Sequence, residues 1–223
     1  MNKLTLPAIV AVAALGAGAW WYSQQAPQPT PVAPANAQSD AGASQAHQIH
    51  SLDMPLGNPD ASVVVVEYSS YTCPHCANFN QGPFRQIKEE FIDTGRILYL
   101  KREVYFDRFG LWAAMVARCG GEARYHGILD LIYEQQQVWA GSNDPAQVAD
   151  NLRRIGRQAG LDNDQIEACL SDGDKALELT EFYQQNAEAD NIRATPTFII
   201  NGQQYSNMPY SEFQRILNEK LDG

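Results

Sequence analysis

Two cysteines with two residues between them, Cys73-Pro74-His75-Cys76, follow closely on residues 62–68, Ser-Val-Val-Val-Val-Glu-Tyr. The β-branched run is apolar on both faces, which suits a strand buried in the middle of a sheet. Glu67 is its one anomaly. Thr72 is a plausible N-cap and Pro74 suits a first helical position, so a helix is expected from the cysteine pair to about Asp93. Gly82-Pro83 should kink that helix, because proline lacks the N–H and crowds the preceding turn. A buried strand feeding a helix whose first turn carries two thiols is a narrow constraint on the fold.

The remaining elements are arranged around that unit. Residues 96–106, with Ile97, Leu98, Tyr99 and Val104, read as a second strand. Between about 107 and 191 the apolar spacing becomes helical: Leu111, Met115 and Val116; Ile128, Leu131 and Ile132; Val148, Leu152 and Ile155; Leu177, Leu179, Phe182 and Tyr183. Breaks fall at Gly120-Gly121, at residues 141–145 and at Ser171-Asp172-Gly173. Strand character returns at Thr197-Phe198-Ile199-Ile200, followed by Asn201-Gly202, a pair that favours a two-residue hairpin turn. A return strand over 203–205 and a last amphipathic helix over 211–221 complete the order.

The chain has 223 residues, 44% of them hydrophobic, and a formal net charge of −10. That is enough for one full core, and the acidic balance argues against a nucleic-acid surface, which gathers Lys and Arg. The four cysteines, Cys73, Cys76, Cys119 and Cys169, allow three pairings. Spacing ranks Cys73 with Cys76 first, which leaves Cys119 with Cys169. In an oxidising compartment a structural disulfide between two helices is expected there, with buried free thiols as the alternative.

Lys3 precedes residues 4–22, a stretch without charge that ends in Trp20-Trp21-Tyr22. It reads either as a secretory signal with Ala17-Gly18-Ala19 as cleavage site or as an uncleaved anchor. Nineteen helical residues at ~1.5 Å each reach ~28 Å, close to the hydrocarbon thickness. The next basic residue is Arg85, so both readings place the remainder across the membrane. Residues 23–47, rich in Pro, Ala and Gln, have too few large apolar side chains to fold and read as a flexible linker without a dimerising heptad. A folded, monomeric domain over 48–223 is expected after it.

Disulfide exchange needs a thiolate that attacks and a second thiol that resolves the mixed disulfide. At a helix start the first cysteine meets free N–H groups that favour its anion, and the second lies one turn in and deeper. Cys73 is therefore the expected nucleophile and Cys76 the resolver. His75, by hydrogen bond or positive charge, should favour the thiolate and so make the disulfide more oxidising. Zinc would want four ligands, and only one Cys-x-x-Cys pair is present while His47, His50 and His126 follow no ligand spacing. Haem attachment would need His where Ala77 stands.

Strand, thiol-bearing helix, strand, helical block, strand, hairpin strand, helix is the order of an α/β thioredoxin fold with an inserted helical subdomain. The segment Glu67-Tyr68-Ser69-Ser70-Tyr71-Thr72-Cys73-Pro74-His75-Cys76 resembles the bacterial DsbA-like disulfide oxidases, and the resemblance covers roughly residues 56–223. It implies that Pro196, in Ala194-Thr195-Pro196-Thr197-Phe198, is a cis-proline facing the redox pair, with the Thr195 backbone offered to an extended substrate. A trans proline at a strand start is the alternative. It implies that Glu67 is a buried proton acceptor for Cys76, partnered by Lys101, rather than a salt bridge at a strand end. It also implies periplasmic location, unfolded exported proteins as substrates, a quinone-linked membrane protein as reoxidant, and no bound cofactor. Thr195 departs from the valine of the best-known oxidases and resembles the isomerase and reductant branches, so isomerase or reductase action is the alternative. A redox-inactive binding module would need neither thiol.

Overall fold

The computed structural model describes residues 49–223. The expected signal or anchor and the linker lie outside the described residues. Among the described residues no helix is long and apolar enough to cross a membrane.

Five strands form one sheet in the order β1-β3-β2-β4-β5. These are β1 (Leu56–Gly57), β2 (Val64–Ser69), β3 (Leu98–Glu103), β4 (Thr197–Ile200) and β5 (Gln203–Ser206). Only β2 and β3 run parallel; the other neighbours are antiparallel. All six residues of β2 are buried, as its two-faced apolar pattern requires. The short edge strand β1 has no signal in its sequence beyond Gly57. That residue has φ +98°, and a Cβ there would stand 2.4 Å from Ile97 O, so only glycine fits. Asn201 and Gly202 both take positive φ, the two-residue turn expected between β4 and β5.

The helix after β2 breaks where proline demands it. Helix α1 (Pro74–Gln81) ends at Gly82 and α2 (Pro83–Ile87) restarts with Pro83 in its first turn. A π-helical turn, Lys88–Ile92, finishes the stretch and was not legible from composition. Between β3 and β4 lie α3 (Arg108–Cys119), α4 (Glu122–Glu134), α5 (Gln136–Trp139), α6 (Pro145–Gln158), α7 (Asn163–Ser171) and α8 (Gly173–Ala189). The α6–α7 break, at Gly160 with φ +82°, lies outside the expected turn signals. Helix α9 (Tyr210–Asp222) ends the chain as described.

Three cores result. One sheet face, with Val65, Tyr99, Phe198 and Ile200, packs against Phe79, Phe84 and Ile87 of α1–α2 and Phe213, Ile216 and Leu217 of α9. The opposite face, with Val64, Val66, Tyr68 and Leu100, meets Tyr183 of α8. The third core belongs to the inserted helices, built on Ala113, Ile128, Ile132, Trp139, Leu152 and Ile155. Tyr71, Cys76 and Ala77 are members of that third core. The thiol-bearing helix is thus wedged between the sheet and the insert, and its second cysteine is buried by the insert.

Candidate redox site

Cys73 is itself the N-cap of α1, at φ −85° and ψ 118°, and no side-chain oxygen caps the helix. The expectation that Thr72 caps is corrected: its hydroxyl donates to Asp107 Oδ2 at 2.8 Å. The physical reason is the position of Pro74. Proline at the first helical position has no N–H, and the next two, on His75 and Cys76, act on the Cys73 sulfur. The Cys73 sulfur takes the place of the usual capping oxygen.

This geometry favours the anion. The Cys73 thiol is lowered from 9.0 to about 5, first through the hydrogen bond from Cys76, against the opposing effect of burial. The Thr195 side chain and the N–H groups of Cys76 and His75 add to the lowering. Cys76 is fully buried, and its hydrogen bond to Cys73 and its burial push its proton affinity far up. The two thiols, both free, are driven in opposite directions, so one is poised to attack and the other to hold its proton.

The Thr195-Pro196 bond is cis. It places the Thr195 carbonyl oxygen 3.5 Å from Cys73 Sγ. The Thr195 hydroxyl is buried without a hydrogen-bond partner, yet near enough to both sulfurs to favour both anions. Residues from the helical block hold the other side of the turn. Gln136 Nε2 donates to Tyr71 O at 2.8 Å and to Cys73 O at 2.9 Å. Asp107 Oδ1 caps α3 through the N–H groups of Phe109 and Gly110, while its other oxygen holds Thr72. The imidazole of His75 is exposed and lines a groove with Asn78, Phe79, Pro83 and Met208, so it is the His75 backbone that reaches the sulfur.

Beneath the helix lies a buried charged pair. Strand register sets Glu67 of β2 opposite Lys101 of β3, on one sheet face, and Lys101 Nζ stands 3.0 Å from Glu67 Oε2. Both side chains are at most 1% exposed. Tyr99 donates its hydroxyl to the same Glu67 Oε2 at 2.6 Å. Lys101 also donates to Asn80 Oδ1 at 3.0 Å, and Asn80 Nδ2 donates to Asp130 Oδ1 at 2.9 Å. Cys119 and Cys169 form a disulfide joining α3 to α7.

Cys73, Cys76, Thr195 and Pro196 therefore meet at one site, with Glu67 and Lys101 behind the helix. Gln136, Tyr99, Asn80 and Asp130 were not singled out from sequence. Signals existed for two of them: Tyr99 precedes Lys101 by two residues and so shares its strand face, and Asn80 lies one helical turn beyond Cys76. Gln136 and Asp130 sit on helices whose packing no local pattern reveals.

A family model described as Thioredoxin matches residues 50–219. A chain of Rickettsia prowazekii (strain Madrid E) named as a protein-disulfide oxidoreductase is 35% identical over 179 residues, 78% of this chain and 64% of that one. A like-named chain of Rickettsia bellii (strain RML369-C) is 34% identical, with 78% of this chain and 67% of that one covered. The chain thus spans about two thirds of the length of these relatives. Among solved structures, alpha-DsbA1 of Wolbachia pipientis superposes with a TM-score of 0.72 at 25% identity, covering 78% of this chain and 93% of that one.

Proposed function

The chain belongs to the thioredoxin family, among its DsbA-like protein-disulfide oxidoreductases, and from that premise we propose that it donates the Cys73–Cys76 disulfide to exported proteins. One observation carries this reading: Cys73 caps its own helix, half-exposed, beside a buried Cys76 and a cis-proline carbonyl. A substrate thiolate attacks Cys73 Sγ; the new S–S bond forms as the Cys73–Cys76 bond breaks, and Cys76 leaves with the electron pair. Cys76 then takes a proton, with Glu67 as the buried group that exchanges it. A second substrate thiolate attacks the substrate sulfur of the mixed disulfide, Cys73 leaves as a stable anion, and the substrate is oxidised by two electrons. No bound cofactor takes part.

The substrate's extended backbone pairs with Thr195, and its apolar side chains meet the surface around the site. Location outside the inner membrane rests on the apolar stretch at residues 4–22. A quinone-linked membrane protein reoxidises the pair. The test is to measure the Cys73–Cys76 potential together with oxidation of a reduced, unfolded model protein. A potential well above that of thioredoxin with fast oxidation supports donation. Thr195 before the cis bond favours a second reading, isomerisation, for which the same assay would show slow oxidation and efficient repair of scrambled disulfides.

A further inference from the structure

Glu67 is asymmetrically held. Its Oε2 accepts from the Tyr99 hydroxyl and forms the ion pair with Lys101 Nζ at 3.0 Å, while its Oε1 is buried and has no hydrogen-bond partner. An unpaired buried carboxylate oxygen is costly, and a fold keeps one where it has a use. The hydroxyls of Tyr99 and Tyr133 are both driven up, first by burial, and charge at Glu67 and at Cys76 adds to the rise of each. The bare oxygen is the one with lone pairs left to receive the Cys76 proton.

What keeps Oε1 bare is the placement of Lys101. Its ammonium has three protons. One goes to Asn80 Oδ1, Glu67 Oε2 stands 3.0 Å from the nitrogen as its ion-pair partner, and the ring faces of Phe84 and Tyr133 lie 4.7 and 5.2 Å from it. Asn80 can present its oxygen to Lys101 only while its amide nitrogen points elsewhere. Asp130 Oδ1, on α4 of the helical insert, accepts from that nitrogen and so fixes the amide orientation. We infer that Asn80 and Asp130 are positioning residues for proton transfer at Cys76: they hold Lys101 on one oxygen of Glu67 and leave the other free. Without Asp130 the amide is free to turn and present a donor to an ammonium; Lys101 then loses an acceptor and turns towards Oε1. This rests on the reading of Glu67 as the exchanging group.

Reaction of the reduced full chain with oxidised glutathione separates the steps. Cys73 thiolate first attacks the glutathione disulfide, forming a Cys73–glutathione bond and expelling one glutathione thiolate. Cys76 then gives up its proton to Glu67 Oε1 and attacks Cys73 Sγ; the Cys73–Cys76 bond forms and the second glutathione leaves with the electron pair. Acid quenching and mass measurement give both rates. Asn80→Leu and Asp130→Ala are expected to slow the second step about tenfold and leave the first within about twofold, a split that general loosening of the fold does not produce. Glu67→Gln should slow the second step at least as much. If Glu67→Gln slows it and the other two do not, the positioning inference falls and the Glu67 reading stands. If none of the three slows it, both fall. Should Asn80→Leu fail to fold, Asp130→Ala, at a half-buried position, decides alone.

Discussion

Replacing Lys101 with methionine removes a cation that is 1% exposed and leaves the fully buried Glu67 without its partner at 3.0 Å. Breaking a buried pair on one side costs about 3–5 kcal/mol, because the remaining charge has lost its solvent and gained nothing in return. Glu67→Leu strands the Lys101 ammonium in the same way and should cost a similar amount. The double variant removes both charges. An apolar replacement of the pair is neutral or stabilises by ~1–4 kcal/mol, while the orphaned Tyr99 hydroxyl and Asn80 carbonyl cost ~1–3 kcal/mol each. The double variant is therefore expected between ~2 kcal/mol more stable and ~6 kcal/mol less stable than the natural chain, centred on a cost of ~2 kcal/mol, against summed single costs of ~6–10 kcal/mol. Urea unfolding of the oxidised proteins at neutral pH measures all four corners of the cycle. Single costs below ~1 kcal/mol, or costs that simply add in the double variant, would refute the reasoning. A stable double variant that forms mixed disulfides and resolves them slowly would show that the pair is kept for proton transfer and not for stability.

Cys73 titrates lower in the folded dithiol form than in an unfolded chain, so its contribution is complete above about 9, and is lost as pH falls towards about 5. The reduced protein should gain stability over the oxidised one across that window. An unscreened shift gives ~2.7 kcal/mol at pH 7, and solvent screening at a half-exposed sulfur brings it to ~1–1.5 kcal/mol; unfolding curves of both forms whose difference is flat with pH would contradict this. The Cys119–Cys169 disulfide spans 50 residues of sequence, so a Cys119→Ala/Cys169→Ala chain should lose up to about 4 kcal/mol in the loop-entropy model while keeping its exchange chemistry; unchanged urea midpoints would refute it. Gln136→Leu strips two donors from the turn that carries Cys73, and is expected to cost about 2 kcal/mol and to raise the Cys73 titration midpoint; an unaltered midpoint in a folded variant would show that the turn holds itself.

The fold was legible where a local rule has one outcome. Four consecutive valines can hardly be anything but a buried strand, Gly82-Pro83 can only break a helix, and Asn201-Gly202 has the residues that its turn needs. The cysteine pair showed its chemistry because a helix start acts on sulfur through its own N–H groups, and Glu67 was conspicuous because a carboxylate has no business in an apolar strand without a partner. Thr72 misled for an instructive reason: its residue type suits a cap, but with Pro74 in the first helical position the cap falls to Cys73. Tyr99, Asn80, Gln136 and Asp130 became visible only once packing was known. Each acts across a tertiary contact, 21 to 65 residues away from its partner, and no periodicity encodes which polar side chain will meet which.

Everything in the proposed chemistry follows from the Cys73 sulfur being an accessible anion at the head of α1. Titrating the ultraviolet absorbance of the thiolate in the reduced full chain, with the Cys73→Ser variant as its blank, measures that directly. A midpoint near 5 is expected, together with rapid alkylation at neutral pH. A midpoint near the ordinary thiol value of about 8.5, with slow alkylation, would contradict the account.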